Sequence, residues 1–227
     1  MGPEAMLQVH HLNNSRSQRV LWLLEELGCP YELIRYQRDP TTLLAPEALR
    51  RVHPLGKSPV ITDGAHTIAE SGAIIEYLLD AYGAGRLRPP AGTEARLRYT
   101  YWLHYAEGSA MPPLLLKLVF QYLPRGPVPA LLRPLVRAIA AGAQKSYIDP
   151  QLALHMGYWE GELARGAWFA GAEFSAADIQ MSFPVEAAAA RSGLPLGERV
   201  RGFLERIHAR PAYQRALGAG GSFSLPG

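Results

Sequence analysis

The sequence predicts a small α/β unit at the N-terminus followed by an all-helical unit. Three observations predict it. Strand-like and helix-like segments alternate as far as Tyr82. The stretch LRPPAGT, Leu87 to Thr93, then carries the Pro and Gly content of a connector. Beyond it strand signals vanish and helical spacing takes over. The expected boundaries are an α/β domain over residues 6–85, a linker over 86–91 and a helical domain over 92–227.

Each element has its own signal. LQVHHL, Leu7 to Leu12, is strand-compatible. Val20, Leu23, Leu24 and Leu27 then recur at i, i+3, i+4 and i+7, which predicts a helix from Arg19 to Leu27. Gly28 stops that helix and Pro30 stands just beyond. YELIRYQ reads as a second strand, and PEALRRVHP as a brief helix ending before Pro54. Val60 and Ile61 suit a strand, Asp63-Gly64 signals a tight turn, and His66 to Ala69 return as the other arm of a hairpin. Ser71, Ile74, Ile75, Leu78, Leu79 and Tyr82 mark one face of the next helix. The order β-α-β-(α)-β-β-α makes one compact α/β unit.

In the second half, Tyr99, Trp102, Leu103 and Ala106 have helical spacing. MPPLLLKLVFQYLPRGPVPALL is apolar but broken by prolines and Lys117, and reads as partly buried helix and loop. Asp149-Pro150 reads as a helix cap followed by proline at the first helical position, with Leu152, Met156, Trp159 and Leu163 continuing the helix. In FSAADI, Ser175 and Asp178 have the spacing of a capping box, and the small apolar run PVEAAAA suits a helix buried on most sides.

Composition narrows the function classes. The 227 residues are 48% hydrophobic, enough for a sizeable core, and 19% charged, as in ordinary globular chains. A net charge of +3 with scattered arginines and no aromatic-interleaved basic cluster argues against nucleic-acid binding. No apolar run is long enough to span a membrane, and no N-terminal apolar segment suggests export. MGPEA, ahead of Met6, reads as an appended remnant outside the fold. The single cysteine, Cys29, allows no intrachain disulfide and fits a reducing, cytoplasmic compartment. The seven histidines lack metal-ligand spacing, and adjacent His10 and His11 point to opposite faces of a strand, so no metal site is expected. GKS at Gly56 to Ser58 lacks the upstream glycine and following helix of a phosphate loop. Ser15 has no evident His–carboxylate partner in the sequence that would make it an attacking nucleophile.

The start of the first helix is oversupplied with polar side chains: Asn13, Asn14, Ser15, Arg16 and Ser17, where one cap would suffice. NNSRSQRVLWLLEELG, HPLGKSPVITDG, AESGAIIEYL and FSAADI, in this order and spacing, resemble the cytosolic glutathione transferase family, and its serine-type bacterial and fungal members in particular. The resemblance implies a thioredoxin-like N-terminal domain, glutathione as co-substrate and a two-fold homodimer. It implies a cis bond before Pro59, with the backbone of Ser58 pairing with the cysteinyl unit of glutathione. Glu70 and Ser71, at a helix start, would take the γ-glutamyl ammonium and carboxylate. Lys57 and His53 would neutralise the glycyl carboxylate. No cysteine stands at the strand–helix junction, which argues against thiol–disulfide exchange.

The chemical task is to turn a thiol of pKa about 8.5 into a thiolate. A hydroxyl donating to a charged sulfur contributes about 1.5–3 kcal/mol, and a helix N-terminus adds roughly 0.3–1 kcal/mol. Ser15 aligns best with the family's serine; Asn14 and Ser17 are the alternatives. One residue can cap the helix while another faces the sulfur. For the partner substrate, a small hydrophobic electrophile, the candidates are Tyr99, Trp102, Tyr105 and Met111, with His104 and Glu107 as polar contacts. Two other functions share the frame: a non-catalytic carrier of apolar ligands, and a glutathione-dependent peroxidase.

Overall fold

A computed structural model describes residues 6–39, 42, 44–221 and 225; the MGPEA remnant lies outside the described residues. The N-terminal part runs β1 (Gln8–Leu12), α1 (Ser17–Leu27), β2 (Glu32–Tyr36), α2 (Glu47–Val52), β3 (Val60–Asp63), β4 (His66–Ala69) and α3 (Ser71–Tyr82). The sheet order is β2-β1-β3-β4. β2 lies parallel to β1, and the crossover this requires is α1; β3 and β4 are antiparallel. The hairpin turn sits one residue later than the sequence suggests. Asp63 still pairs with His66, so the two-residue loop is Gly64 and Ala65, with Gly64 at φ +55°. The Asp63 carboxylate then accepts hydrogen bonds from the Tyr77 and Tyr82 hydroxyls, at 2.8 and 2.5 Å, tying the hairpin to α3.

Helix α1 starts at Ser17, two residues before the expected Arg19, and is buried on more than one face. Val20, Leu23, Leu24 and Leu27 meet the core as their spacing predicts. Gln18, Arg19, Leu21 and Trp22 are buried too, because the C-terminal helices cover the outer face. Trp22 packs edge-on against Tyr213, centroids 5.0 Å apart. Arg210 and Arg215 pair with Glu26 and Glu25, fastening the chain's end to α1. At the other end Gly28, at φ +63°, lets the N–H of Cys29 return to the Leu24 carbonyl at 3.0 Å, which stops the helix.

No helix or strand occurs between Tyr82 and Glu94. The helical part follows: α4 (Glu94–Tyr105), α5 (Met111–Tyr122), α6 (Arg133–Ala143), α7 (Asp149–Arg165), α8 (Ala176–Arg191), α9 (Glu198–His208) and α10 (Pro211–Gly220). Two joints differ from the sequence expectation. Pro112 and Pro113 do not break the chain's course. A π-turn over Ala106–Ala110 carries α4 straight into α5, with the Met111 N–H returning five residues to Ala106. Prolines lack the N–H of a regular helix, and a π-turn shifts the ladder to accommodate that loss. A second π-turn, Gln144–Ile148, joins α6 to α7 ahead of Pro150. Asp149 is therefore not a helix cap, as its pairing with Pro150 suggested. It sits in helical conformation inside a continuous helix, and its carboxylate pairs with Lys117 of α5 at 2.7 Å.

α8 is buried along almost its whole length, as its small apolar residues predict. Its start has the expected capping box, and the Asp178 carboxylate also accepts the Phe169 N–H at 2.8 Å. The core runs without interruption from Val9 and Val20 through Ile75 and Trp102 to Ile179 and Phe203, so the two parts share it.

Candidate active site at the β1–α1 junction

The junction is built from the end of β1 outward. The Asn13 side chain accepts the Arg38 N–H at 3.0 Å, and Asn14 turns the chain at φ +49°. Asparagine tolerates this left-handed conformation better than most residues. Ser15 follows, 5% exposed. Its Oγ accepts the Ser17 N–H at 3.2 Å, one of the free donors at the start of α1. It also lies 2.7 Å from Ser17 Oγ and 3.3 Å from Ser58 Oγ. Ser15 thus takes one N–H of the first turn, while the cap position itself is Arg16, which makes no side-chain capping bond. Ser17 is wholly buried behind Ser15, with its hydroxyl 2.8 Å from His11 Nδ1.

The second wall is the Ser58–Pro59 peptide, which is cis. The Ser58 hydroxyl donates to the His10 carbonyl at 3.1 Å and accepts the Leu12 N–H at 3.3 Å. That side chain pins the loop to β1. The β1–β3 ladder starts only at Val60, so the Ser58 backbone lies ahead of it. Beside it Lys57 is exposed and His53 is half-buried, with a buried Nδ1 that has no partner among the described residues.

The third wall is the start of α3. Glu70 is exposed and held at φ +72°, a conformation that costs a non-glycine residue of order 1–3 kcal/mol and persists mainly where a site needs it. Ser71 is buried and is the first helical residue rather than the cap; the cap position is Glu70, whose side chain makes no capping bond.

A guanidinium network, which the sequence reading did not anticipate, joins the walls. Arg19 of α1 is 1% exposed. It donates to the Gln180 carbonyl of α8 (2.7 Å), the Ser71 hydroxyl (2.9 Å) and the Glu107 carboxylate (2.5 Å). Glu107 sits in the first π-turn and also receives Arg16 Nε at 2.9 and 3.0 Å. Both guanidiniums lie over the Phe183 ring, at 4.9 and 5.3 Å. Burial would raise the Glu107 carboxyl, but the charges and hydrogen bonds of Arg19 and Arg16 hold it below its ordinary value. Burial likewise lowers Arg38 and Arg191, and each also feels the charge of Arg16. The missed signal was Arg19 itself. It stands three residues before Trp22 and four before Leu23, at the edge of an apolar stripe, where a charge requires a buried partner.

Tyr99, Trp102, Tyr105 and Met111, expected to line an apolar cleft, all lie in the core with 7% exposure or less. Tyr99 donates to Glu76 at 2.5 Å; Trp102 packs against Tyr105, Tyr158 and Phe169; the Tyr105 hydroxyl meets His155 and accepts the Trp159 N–H at 3.1 Å. Spacing alone does not distinguish a stripe that faces a cleft from one that faces other helices. His104 is exposed. Cavities of about 320 Å³ between the connector and Phe174, about 560 Å³ among α8, α9 and α10, and about 370 Å³ between the start of α4 and Gly171 lie away from the junction. Among the described residues no cluster of His, Cys, Asp and Glu is placed to hold a metal ion. No described helix is long and apolar enough to cross a membrane.

A four-stranded thioredoxin-like sheet with a cis-proline beside a helix N-terminus, followed by a mostly helical part, defines the class of fold. Comparison with known proteins then gives the family. Residues 15–81 match the family model described as glutathione S-transferase, N-terminal domain. Glutathione S-transferase 3 of Schizosaccharomyces pombe is 40% identical over 184 residues, covering 81% of this chain and 74% of that protein. Glutathione S-transferase 1 of Saccharomyces cerevisiae is 31% identical, covering 81% of each. A glutathione S-transferase structure from Actinobacillus pleuropneumoniae superposes with a TM-score of 0.76 at 32% identity, covering 96% of this chain and 94% of that one. The chain belongs to the glutathione S-transferase family.

Proposed function

We propose that this enzyme joins the thiol of glutathione, its co-substrate, to small apolar electrophiles, and that Ser15 holds the thiol as a thiolate. The observation that carries this reading is Ser15 Oγ at the start of α1, fixed by the Ser17 N–H and set beside the cis Ser58–Pro59 peptide. A sulfur between these walls meets a hydroxyl and the positive end of a helix. Asn14, the next polar residue outward, is the second donor of the set; Ser17 acts from behind.

The remaining groups supply binding. The Ser58 backbone, ahead of the ladder, offers an N–H and C=O to the cysteinyl unit as an added strand would. The start of α3 with the Ser71 hydroxyl receives the γ-glutamyl carboxylate, while Arg19 fixes that hydroxyl by donating to its oxygen, leaving its proton for the ligand. Glu70 receives the ammonium. Exposed Lys57, with half-buried His53 nearby, is assigned to the glycyl carboxylate. The electrophile is assigned to the side of the junction where the π-turn carries Glu107; Tyr105 and Met111 back this wall, and Tyr99 and Trp102 brace it from the core.

Thiol–disulfide exchange fits poorly. The lone Cys29 sits past the far end of α1, and burial together with the charge of Asp63 pushes its thiol up, away from the reactive thiolate. A cytoplasmic homodimer acting in detoxification is the setting this reading implies; sedimentation at twice the 24.9 kDa chain mass checks the dimer.

The test is conjugation of glutathione to chlorodinitrobenzene. Wild type should turn over, and Ser15→Ala should lose roughly 10- to 150-fold in kcat, the equivalent of about 1.5–3 kcal/mol, with glutathione affinity little changed. Tight glutathione binding without turnover in wild type would mark a carrier instead.

A further inference from the structure

Behind Ser15 the buried hydroxyls continue inward. Ser15 Oγ lies 2.7 Å from Ser17 Oγ, and Ser17 Oγ lies 2.8 Å from His11 Nδ1. All three residues are buried, at 5%, 0% and 4% exposure. The other contact of the Ser17 hydroxyl, to the Leu12 carbonyl, is long at 3.4 Å. β1 delivers His11 to this face because successive strand side chains alternate; its neighbour His10 goes to the opposite face, to Tyr36 and Thr62.

One hydroxyl has one proton, so the Ser15–Ser17–His11 links take two polarities; in the second, the Ser15 proton is free of Ser17 and goes outward or to its long contact, Ser58 Oγ at 3.3 Å. When His11 Nδ1 is bare, Ser17 donates to it and Ser15 donates to Ser17. Ser15 then presents only a lone pair outward, suited to accept a thiol S–H. When His11 Nδ1 carries a proton, every link reverses. Ser15 then turns its own proton outward, suited to donate to a thiolate.

We propose that His11 takes up the proton of the bound glutathione thiol through Ser15 and Ser17, and that this transfer turns the Ser15 hydroxyl toward the sulfur. The step balances. The S–H bond breaks and sulfur keeps the electron pair; Ser15 Oγ gains that proton and passes its own to Ser17 Oγ. Ser17 passes its proton to His11 Nδ1, and neutral imidazole becomes imidazolium. When the conjugate leaves, the proton retraces the path through Ser17 and Ser15 and passes to water entering the emptied site, so the ring is bare again before the next thiol binds. The proposal rests on the assignment of Ser15 to the thiol.

The surroundings of His11 suit a resting acceptor. Burial lowers its pKa first, the charge of Arg35 on β2 lowers it further, and hydrogen bonding to the Gly220 backbone opposes both. Among the described residues, α1 presents uncharged Ser17 and Gln18 to this region and α10 presents its Gly220 end. The ring is thus neutral before the thiol arrives. The imidazolium then has the Gly220 backbone, Ser17 and the new negative sulfur in its favour.

The experiment titrates bound glutathione by the ultraviolet absorbance of its thiolate in wild type, Ser15→Ala, Ser17→Ala and His11→Gln. Gln accepts from the Ser17 hydroxyl but cannot take its proton. The expected result is about a tenfold fall in thiolate fraction at neutral pH in both His11→Gln and Ser17→Ala, with glutathione Kd within about threefold of wild type. Ser17→Ala is the smaller change and carries the test if His11→Gln fails to fold. A normal thiolate titration in Ser17→Ala, or in folded His11→Gln, alongside a shifted one in Ser15→Ala overturns the relay alone. An unshifted titration in Ser15→Ala overturns the assignment of Ser15 and the relay with it.

Discussion

Glu107→Gln is the sharpest test of the network that joins the two parts of the chain. The change keeps the size of the side chain and removes one charge. In wild type that carboxylate faces Arg19, which is 1% exposed, and Arg16, which is 36% exposed. Taking away one partner of a buried pair costs about 3–5 kcal/mol. Two features reduce the cost here. Glu107 is itself 32% exposed, so water screens part of the interaction. Arg19 also keeps Ser71 and the Gln180 carbonyl. A loss of about 2 kcal/mol is the expected outcome. For a chain of this length that is a fall of roughly 4–8 °C in Tm. The assay is thermal or urea unfolding at fixed protein concentration, because an oligomer makes the midpoint concentration-dependent. The pH dependence adds a sign. The Glu107 carboxyl is depressed in the folded state, so its contribution is fully present above the unfolded pKa of about 4.3 and is lost as pH falls through the lower folded value. The gap between wild type and variant should therefore be constant near neutrality and close in acid, below about pH 4. A gap under about 0.5 kcal/mol at neutral pH, or one that stays constant into acid, would refute the reasoning.

Two further substitutions probe the same region from other sides. Gly220→Ala would place a methyl 2.8 Å from Gln18 Oε1, 2.9 Å from Leu21 Cδ1 and 3.1 Å from His11 Cε1; a destabilisation of about 1–3 kcal/mol by urea unfolding is expected, and a neutral result would show that α10 slides freely on α1. Glu70→Gly relieves a φ of +72° and should stabilise the fold by up to about 1 kcal/mol while weakening glutathione binding. Glu70→Ala keeps the strained backbone and should weaken binding without that gain, so equal stability of the two variants would refute the strain argument.

The order of elements was legible because each carried a local signal. Val20, Leu23, Leu24 and Leu27 declare a helix, Gly28 its end, and Ser175 with Asp178 the start of another, all within a few residues of sequence. What escaped depended on partners distant in sequence. Burial of the outer face of α1 comes from α10, whose Arg215 meets Glu25 across 190 positions. The π-turns were hidden because Pro112 read as a break and Asp149-Pro150 as a fresh helix start, and only packing decides whether a helix stops or shifts its ladder around a proline. In the site, Ser15, Ser58 and Ser71 stood out from motif order, whereas Arg19 and His11 did not: each looks like an ordinary residue of its element until the second domain and the C-terminus close over it.

That closure ties the chemistry to the helical domain. The residues proposed to hold glutathione come almost entirely from β1, α1, the cis-proline loop and α3, yet three of their supports lie outside that set. Glu107 and Gln180 hold Arg19 from the helical part, and Gly220 backs His11 from the last helix. An isolated N-terminal unit would expose Arg19 and His11 to water. Arg19 would lose the geometry that fixes Ser71, and His11 would lose the burial that keeps it neutral. On the proposed reading the helical part does more than face an electrophile: it sets the surroundings of Arg19 and His11, the two residues to which support of glutathione binding and of thiol ionisation is assigned. The Glu107→Gln variant carries the corresponding expectation for function. Freed of its counter-charge, Arg19 should turn more strongly toward Ser71, and glutathione affinity should change together with stability rather than independently of it.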